Sequence, residues 1–219
     1  MDAEKWTELM IETIEKIPAL VALNKVIDDI NDLLEQKEGQ ANHSNPIKYW
    51  IAGGAITAAV AGTQINDYDI FSPTPHLLRD RLKEAIGWAS FEHEFFTNFW
   101  VESKKVQVIT RYSPESQEAI FNTFDFTICC GAYDGVTFAH HDRFWQDIAT
   151  KRLVVNELFF PLKTMERIAK YSRRGYTACP VGLLKIAKAI NAMQIDWDNP
   201  NENDLSFYPD GTPRFMGPD

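Results

Sequence analysis

Asp67 and Asp69 stand two residues apart in the run Asn66-Asp67-Tyr68-Asp69-Ile70-Phe71. Side chains two apart on a strand point to the same face, so both carboxylates address one point in space. Two converging acids are the beginning of a divalent-cation site. Upstream, Gly53 and Gly54 end an apolar run, Tyr49-Trp50-Ile51-Ala52, and open a stretch of small residues. With no side chains there, the backbone can turn sharply and approach a ligand, and the amides face out from the N-terminus of the following helix. That is a phosphate cradle. A cradle facing a carboxylate pair points to a nucleoside triphosphate held with Mg²⁺ or Mn²⁺ whose remaining oxygen ligands come from the phosphates.

Those residues require an apolar strand, a glycine turn, a short helix and a second strand, in that order, over residues 49–71. The plainer alternative is a buried glycine-rich turn followed by a solvated Asn66-Asp67 turn. Tyr68, Ile70 and Phe71 around Asp69 argue for a strand instead.

The segment resembles the signature of the polymerase-beta-like nucleotidyltransferase superfamily and is most similar to the head domain of CCA-adding enzymes and bacterial poly(A) polymerases. Those proteins carry G-G-A-V-R-D, a small-residue helix ending in Gly, then D-x-D. Here Gly53, Gly54, Ala55 and Ile56 follow the pattern, Gly62 sits at the helix end, and Asp67 lies thirteen residues after Gly54. Thr57 and Ala58 depart from it, standing where the family has an Arg and an acid. The resemblance covers roughly residues 47–130. It implies an α+β nucleotidyltransferase fold, a mixed, mainly antiparallel sheet flanked by helices, with an N-terminal helical hairpin and C-terminal helices.

The resemblance also implies a reaction: transfer of a nucleoside monophosphate from an NTP to an acceptor hydroxyl, with release of pyrophosphate. Asp67, Asp69 and a third acid would bind two Mg²⁺ ions, with Gly53, Gly54 and Thr57 at the phosphates. The nearest family makes an RNA 3′ end the first acceptor expected, with a protein hydroxyl or a small molecule as alternatives. A catalytically silent member that binds a nucleotide or a partner protein is the competing reading. It is favoured by Thr57, and by Gln107, which stands on a neighbouring strand where an acid is expected.

Asp125, alone between Phe124 and Phe126, is the better candidate for the third acid. A carboxylate in an apolar run is costly unless paired, hydrogen-bonded or bound to a metal. It is either the third ligand, a strand-start acid bonded to a backbone amide, or the partner of Arg111.

The chain has 219 residues, 45% of them hydrophobic, enough for a sizeable core. No apolar run is long enough to cross a bilayer, and the N-terminus has no basic region before an apolar core, which points to a cytoplasmic protein without a membrane partner. Cys129, Cys130 and Cys179 form no even framework and read as reduced thiols. The net charge of −9 argues against nucleic-acid binding by the whole surface. Residues 163–188, however, carry seven Lys and Arg against Glu166, and that basic stretch suits polyphosphate or RNA. Within it, Arg173 and Arg174 are either phosphate or acceptor ligands or a solvated last turn complementing a helix dipole.

Four segments are expected: a helical lead-in over 1–46, the catalytic core over 47–160, basic helices over 161–195, and an acidic irregular tail over 196–219. Apolar spacing predicts helices over 2–17 and 19–35, broken at Pro18, and the broad stripe of the second allows a homodimer. A helix follows Pro75, then a β-hairpin over 91–101 and 105–112, a short helix near 114–121, and a buried strand at FDFTICCGAY. Asp134-Gly135 is a hairpin turn. His140 and His141 read as capping and surface residues at the start of a helix that runs to Ala149, and 151–160 as an edge strand into a turn. Helices from Pro161 to a Gly175 cap and over 181–193 complete the pattern.

Overall fold

The computed structural model describes residues 10–13, 18–38 and 47–193. The chain divides into two compact units, Met1–Phe124 with Ile128–Phe144, and Asp125–Thr127 with Trp145–Asp219.

The first unit is built on one eight-stranded sheet. In chain order its strands are β1 (Met10–Thr13), β2 (Trp50–Ala52), β3 (Tyr68–Phe71), β4 (Phe91–His93), β5 (Phe96–Val101), β6 (Lys104–Ile109), β7 (Gly131–Tyr133) and β8 (Thr137–His140). They lie side by side as β1-β8-β7-β2-β3-β6-β5-β4. Only β3 and β6 run parallel; the other neighbours are antiparallel. The helices are α1 (Val21–Glu38), α2 (Gly54–Ala61), α3 (Pro75–Ile86) and α4 (Gln117–Phe121). The mixed, mainly antiparallel sheet flanked by helices that was expected from the sequence is therefore the architecture observed.

Register sorts the side chains into two faces. Ile51, Ile70, Val106, Val108 and Phe99, all buried, turn to the side taken by the long helices. There α1 buries Leu23, Val26, Ile27 and Ile30 at helical spacing and packs with α3. Part of the apolar stripe of this helix is thus buried within the unit. The Tyr49 hydroxyl lies 2.7 Å from Asn31 Oδ1 and 3.1 Å from Ile27 O, sharing its one proton between these acceptors, and Tyr133 donates to Asn24 Oδ1 at 2.6 Å. Burial pushes the Tyr133 phenol up to about 12. The opposite face carries Trp50, Ala52, Phe71, Ala132 and Ala139, covered by Ile120 and Phe121 of α4.

Asp29 on α1 accepts from Lys25 and from Lys104 of β6, each at 2.8 Å. Those ammonium groups, Lys104 foremost, hold its carboxyl below the usual range. A depressed carboxyl stabilises the fold above its ordinary value of 3.8 and loses that contribution as pH falls through the folded-state value. Asp29→Asn is expected to lower stability at neutral pH by about 0.5–1 kcal/mol. It should also flatten the acid limb of a stability-versus-pH curve measured by urea unfolding.

The turns follow their residues. Asp134 accepts from the amides of Val136 and Thr137 at 3.0 and 2.7 Å, closing the β7–β8 hairpin as its Asp-Gly pair predicts. Gly62 takes the left-handed conformation, φ 64°, and ends α2.

Four local expectations need correction. Met10–Thr13 form a strand paired with β8, where helical spacing predicted a helix; the open edge of β8 supplies hydrogen-bond partners that outweigh weak local preference. The remainder of that predicted helix, and the tail over 196–219, lie outside the described residues. Residues 91–101 make two strands, because the chain reverses between His93 and Phe96. The run FDFTICCGAY is not one strand: Thr127–Cys129 is a 3₁₀ turn, and only Gly131–Tyr133 joins the sheet. His140 and His141 are buried, not surface residues, with His141 Nδ1 accepting from the Arg143 amide at 3.0 Å.

The second unit contains β9 (Arg152–Leu153) and β10 (Thr177–Ala178), a parallel pair, with α6 (Pro161–Ser172) and α7 (Pro180–Asn191); α5 (Phe144–Ala149) enters it from Trp145 on. Phe126 and Tyr176 meet Tyr171 edge-on, at 6.0 and 5.6 Å between ring centroids, and form its aromatic centre. Asp147, fully buried, accepts from the Thr127 hydroxyl at 2.7 Å.

Candidate functional site

Gly53 links β2 to α2 with φ 76° and ψ −133°, a conformation open to glycine and strained for any other residue. Its amide donates to Gly131 O at 3.2 Å. A Cβ placed on Gly53 would lie 3.0 Å from the Phe124 ring and 3.8 Å from Asp69 Oδ2. The carboxylate of the second aspartate therefore stands against the glycine turn. At Gly54 a Cβ would meet nothing within 4 Å, so the first turn of α2 opens onto free space. Amides of a first helical turn have no partner inside the helix and suit an anion.

Asp69 lies within β3, paired in register with Ala52 on one side and Gln107 of β6 on the other. Asp67 immediately precedes β3; its side chain is 44% exposed. The alternation of the strand puts both on the face that carries Trp50 and Phe71, and both belong to the unit that holds the glycine turn. The same face carries Gln107 and Lys105 of β6, and Asn98 and Trp100 of β5. Gln107 Nε2 donates to Asn98 Oδ1 at 2.8 Å, and Lys105 Nζ stands 4.0 Å from Asp67 Oδ2.

This donor set fits one Mg²⁺ or Mn²⁺ bound together with a nucleotide, because such ions are commonly held by one or two carboxylates with substrate phosphates supplying other ligands. Among the described residues no group of three or more His, Cys, Asp or Glu side chains could hold a metal by itself.

Thr57 is buried, and its hydroxyl lies 2.6 Å from Ile128 O and 3.2 Å from Gly53 O. It ties α2 to the turn it follows. Asp125, buried at 6% exposure, receives a hydrogen bond from Arg167 Nη1 at 2.9 Å within the second unit. Its partner is thus Arg167 of α6, whereas Arg111 lies over the Phe95 ring. Arg167→Ala leaves that buried carboxylate without its cation, and a loss of about 1–3 kcal/mol is expected by thermal or urea unfolding. Arg173 caps the C-terminus of α6, and Arg174 lies 5.8 Å from the Tyr171 ring centroid.

Lys105 is the residue that sequence reasoning passed over. Its spacing of two from Gln107 was the available signal, since it places both on one face of β6.

The sequence model of the Gabija anti-defense 2 family matches residues 22–151, more than half of the chain. The chain belongs to the Gabija anti-defense 2 family. It is 33% identical over 142 residues to "Gabija anti-defense 2" of Bacillus phage SPbetaL7, a match covering 62% of this chain and 36% of that protein. The chain therefore spans about a third of the length of this curated relative. Among solved structures, the fold is similar to a Thermotoga maritima CCA-adding enzyme complexed with tRNA, with a TM-score of 0.61 at 13% identity over 84% of this chain and 46% of that one. A CCA-adding enzyme in complex with ATP gives the same TM-score and identity over 84% and 47%. An apo tRNA-processing enzyme gives 0.55 at 17% identity over 78% and 47%. These likenesses establish a nucleotidyltransferase-like fold for the family member described here. The matched residues 22–151 contain Gly53, Gly54, Asp67, Asp69, Lys105 and Gln107. No helix among the described residues is long and apolar enough to cross a membrane.

Proposed function

We propose that this chain binds a nucleoside triphosphate, ATP in the first instance, with a divalent cation at Gly53, Gly54, Asp67 and Asp69. It transfers the nucleoside monophosphate to an acceptor hydroxyl in the cytoplasm, and this chemistry serves the anti-defense role for which its family is named. The observation that carries the reading is the Asp69 carboxylate set 3.8 Å from where a Cβ of Gly53 would stand. It sets an acid beside the glycine turn proposed to cradle the phosphates.

The acceptor oxygen attacks the α-phosphorus and forms the new phosphodiester. The bond to the β-phosphate breaks, pyrophosphate leaves with the electron pair, and the hydroxyl proton passes to water. The chain contributes mainly position and electrostatics: the α2 N-terminus and glycine backbone hold the phosphates, and Asp67 and Asp69 hold the cation. That cation supplies positive charge against the leaving pyrophosphate. The acceptor is an RNA 3′ end or a hydroxyl of a protein belonging to the opposed defence.

A second reading, a silent member that binds nucleotide or partner protein without turnover, is favoured by Gln107, which pairs in register with Asp69 where an acid was expected. Incubation with labelled ATP, Mg²⁺ and bulk cellular RNA or protein separates the two. Transfer of label that disappears in Asp67→Ala supports the enzyme. Nucleotide binding without transfer to any acceptor sinks the catalytic reading in favour of the silent one.

A further inference from the structure

We infer that the site takes a single divalent cation and that Lys105 supplies the second positive charge, meeting the triphosphate beside Asp67. The inference rests on the nucleotide-binding reading above and deepens it. It replaces the expectation of two ions.

Three observations carry it. First, the position paired with Asp69 on the adjacent strand is Gln107, a neutral amide already bonded to Asn98 Oδ1 at 2.8 Å. Within the first unit, the acids that strand register turns to that face beside the glycine turn are Asp67 and Asp69, and among the described residues no group of three metal-ligating side chains occurs, so this pair suits one ion. Second, Lys105 stands one residue pair along β6, with its ammonium 4.0 Å from Asp67 Oδ2. A cation thus already stands beside Asp67 on the face that carries the acid pair. Third, the Lys105 side chain is 36% exposed, so its ammonium is accessible to a ligand.

The chemistry matches. An ammonium is a compact charge with three donors on a flexible stem, able to meet phosphate oxygens directly. Position 57 offers no cation, being a buried Thr committed to backbone carbonyls. The bland alternative is that Lys105 merely screens Asp67 in an exposed ion pair. The two accounts predict opposite signs. If Lys105 only screens, its removal frees Asp67 and tightens cation and nucleotide binding. If it meets the triphosphate, its removal weakens nucleotide binding by about tenfold or more, the loss expected for a charge-assisted hydrogen bond.

The experiment titrates a non-hydrolysable ATP analogue and Mn²⁺ into the full chain, following affinity by calorimetry and bound Mn²⁺ by electron paramagnetic resonance. Thermal melting confirms that each variant is folded. Expected are one Mn²⁺ per bound nucleotide in the wild type, weakened nucleotide binding in Lys105→Met, substantial recovery in Lys105→Arg, and a second Mn²⁺ in Gln107→Glu. Two ions in the wild type, unchanged or tighter nucleotide binding in Lys105→Met, or a Gln107→Glu variant that stays at one ion overturns this inference alone. Failure of the wild type to bind the nucleotide overturns it together with the reading on which it rests.

Discussion

Asp69→Asn is expected to reduce nucleotidyl transfer by about a thousandfold or more while leaving the fold intact. Asn matches Asp in size and keeps its place between Ala52 and Gln107, so β3 should pair as before. What is lost is a negative charge against the glycine turn. Charge stabilisation by a bound cation is worth several kcal/mol in phosphoryl chemistry, and each 1.36 kcal/mol is about a factor of ten in rate. Asp67→Asn is expected to cost less, because Asp67 lies just outside the strand, is 44% exposed, and already shares its charge with Lys105. The measurement is transfer of label from ATP, with melting temperature as the control for folding. Transfer in Asp69→Asn within tenfold of wild type would remove Asp69 from the chemistry.

Gly53→Ala is expected to damage the site and the stability of the unit together. The positive φ of 76° with ψ −133° costs a residue with a Cβ about 1–3 kcal/mol. The new methyl would also sit 3.0 Å from Cε1 and Cζ of Phe124. That ring is held edge-on against Phe71, 5.7 Å between centroids, so it cannot swing aside without disturbing the face on which the site is built. Overpacking of this kind costs about 1–3 kcal/mol. A loss of about 2–4 kcal/mol by urea unfolding and of nucleotide binding by calorimetry is expected. Gly54→Ala is the informative contrast: its methyl meets no neighbour within 4 Å, so stability should change little, while the methyl intrudes on the space where phosphates are proposed to lie. A Gly53→Ala protein as stable as the wild type would mean that the turn tolerates a side chain and is not the constrained element described.

The legible parts of the molecule were those fixed by short-range rules. Gly53 and Gly54 between an apolar strand and a small-residue helix, the alternation at Asp67 and Asp69, and the Asp134-Gly135 turn each follow from spacing and turn chemistry within a few residues. The parts that were not legible depend on partners far along the chain. Met10–Thr13 become a strand because β8, more than a hundred residues later, offers an edge. Asp125 was recognisable as a buried charge in need of a partner, yet the partner, Arg167, lies 42 residues on. Lys105 has no meaning until β6 is known to lie parallel to β3, and that register follows a crossover through α3, β4 and β5 that no local pattern specifies. The run through Thr127–Cys129 misled because an apolar, β-branched composition also suits a buried 3₁₀ turn.

The most direct test of the central claim is a crystal structure of the full chain soaked with a non-hydrolysable ATP analogue and Mn²⁺, with anomalous scattering used to locate the metal. The predicted result is a Mn²⁺ peak bridging the carboxylates of Asp67 and Asp69, with the triphosphate lying over Gly53 and Gly54 at the start of α2. A nucleotide bound elsewhere on the chain, or a triphosphate at the glycine turn with no metal at the two aspartates, would contradict it.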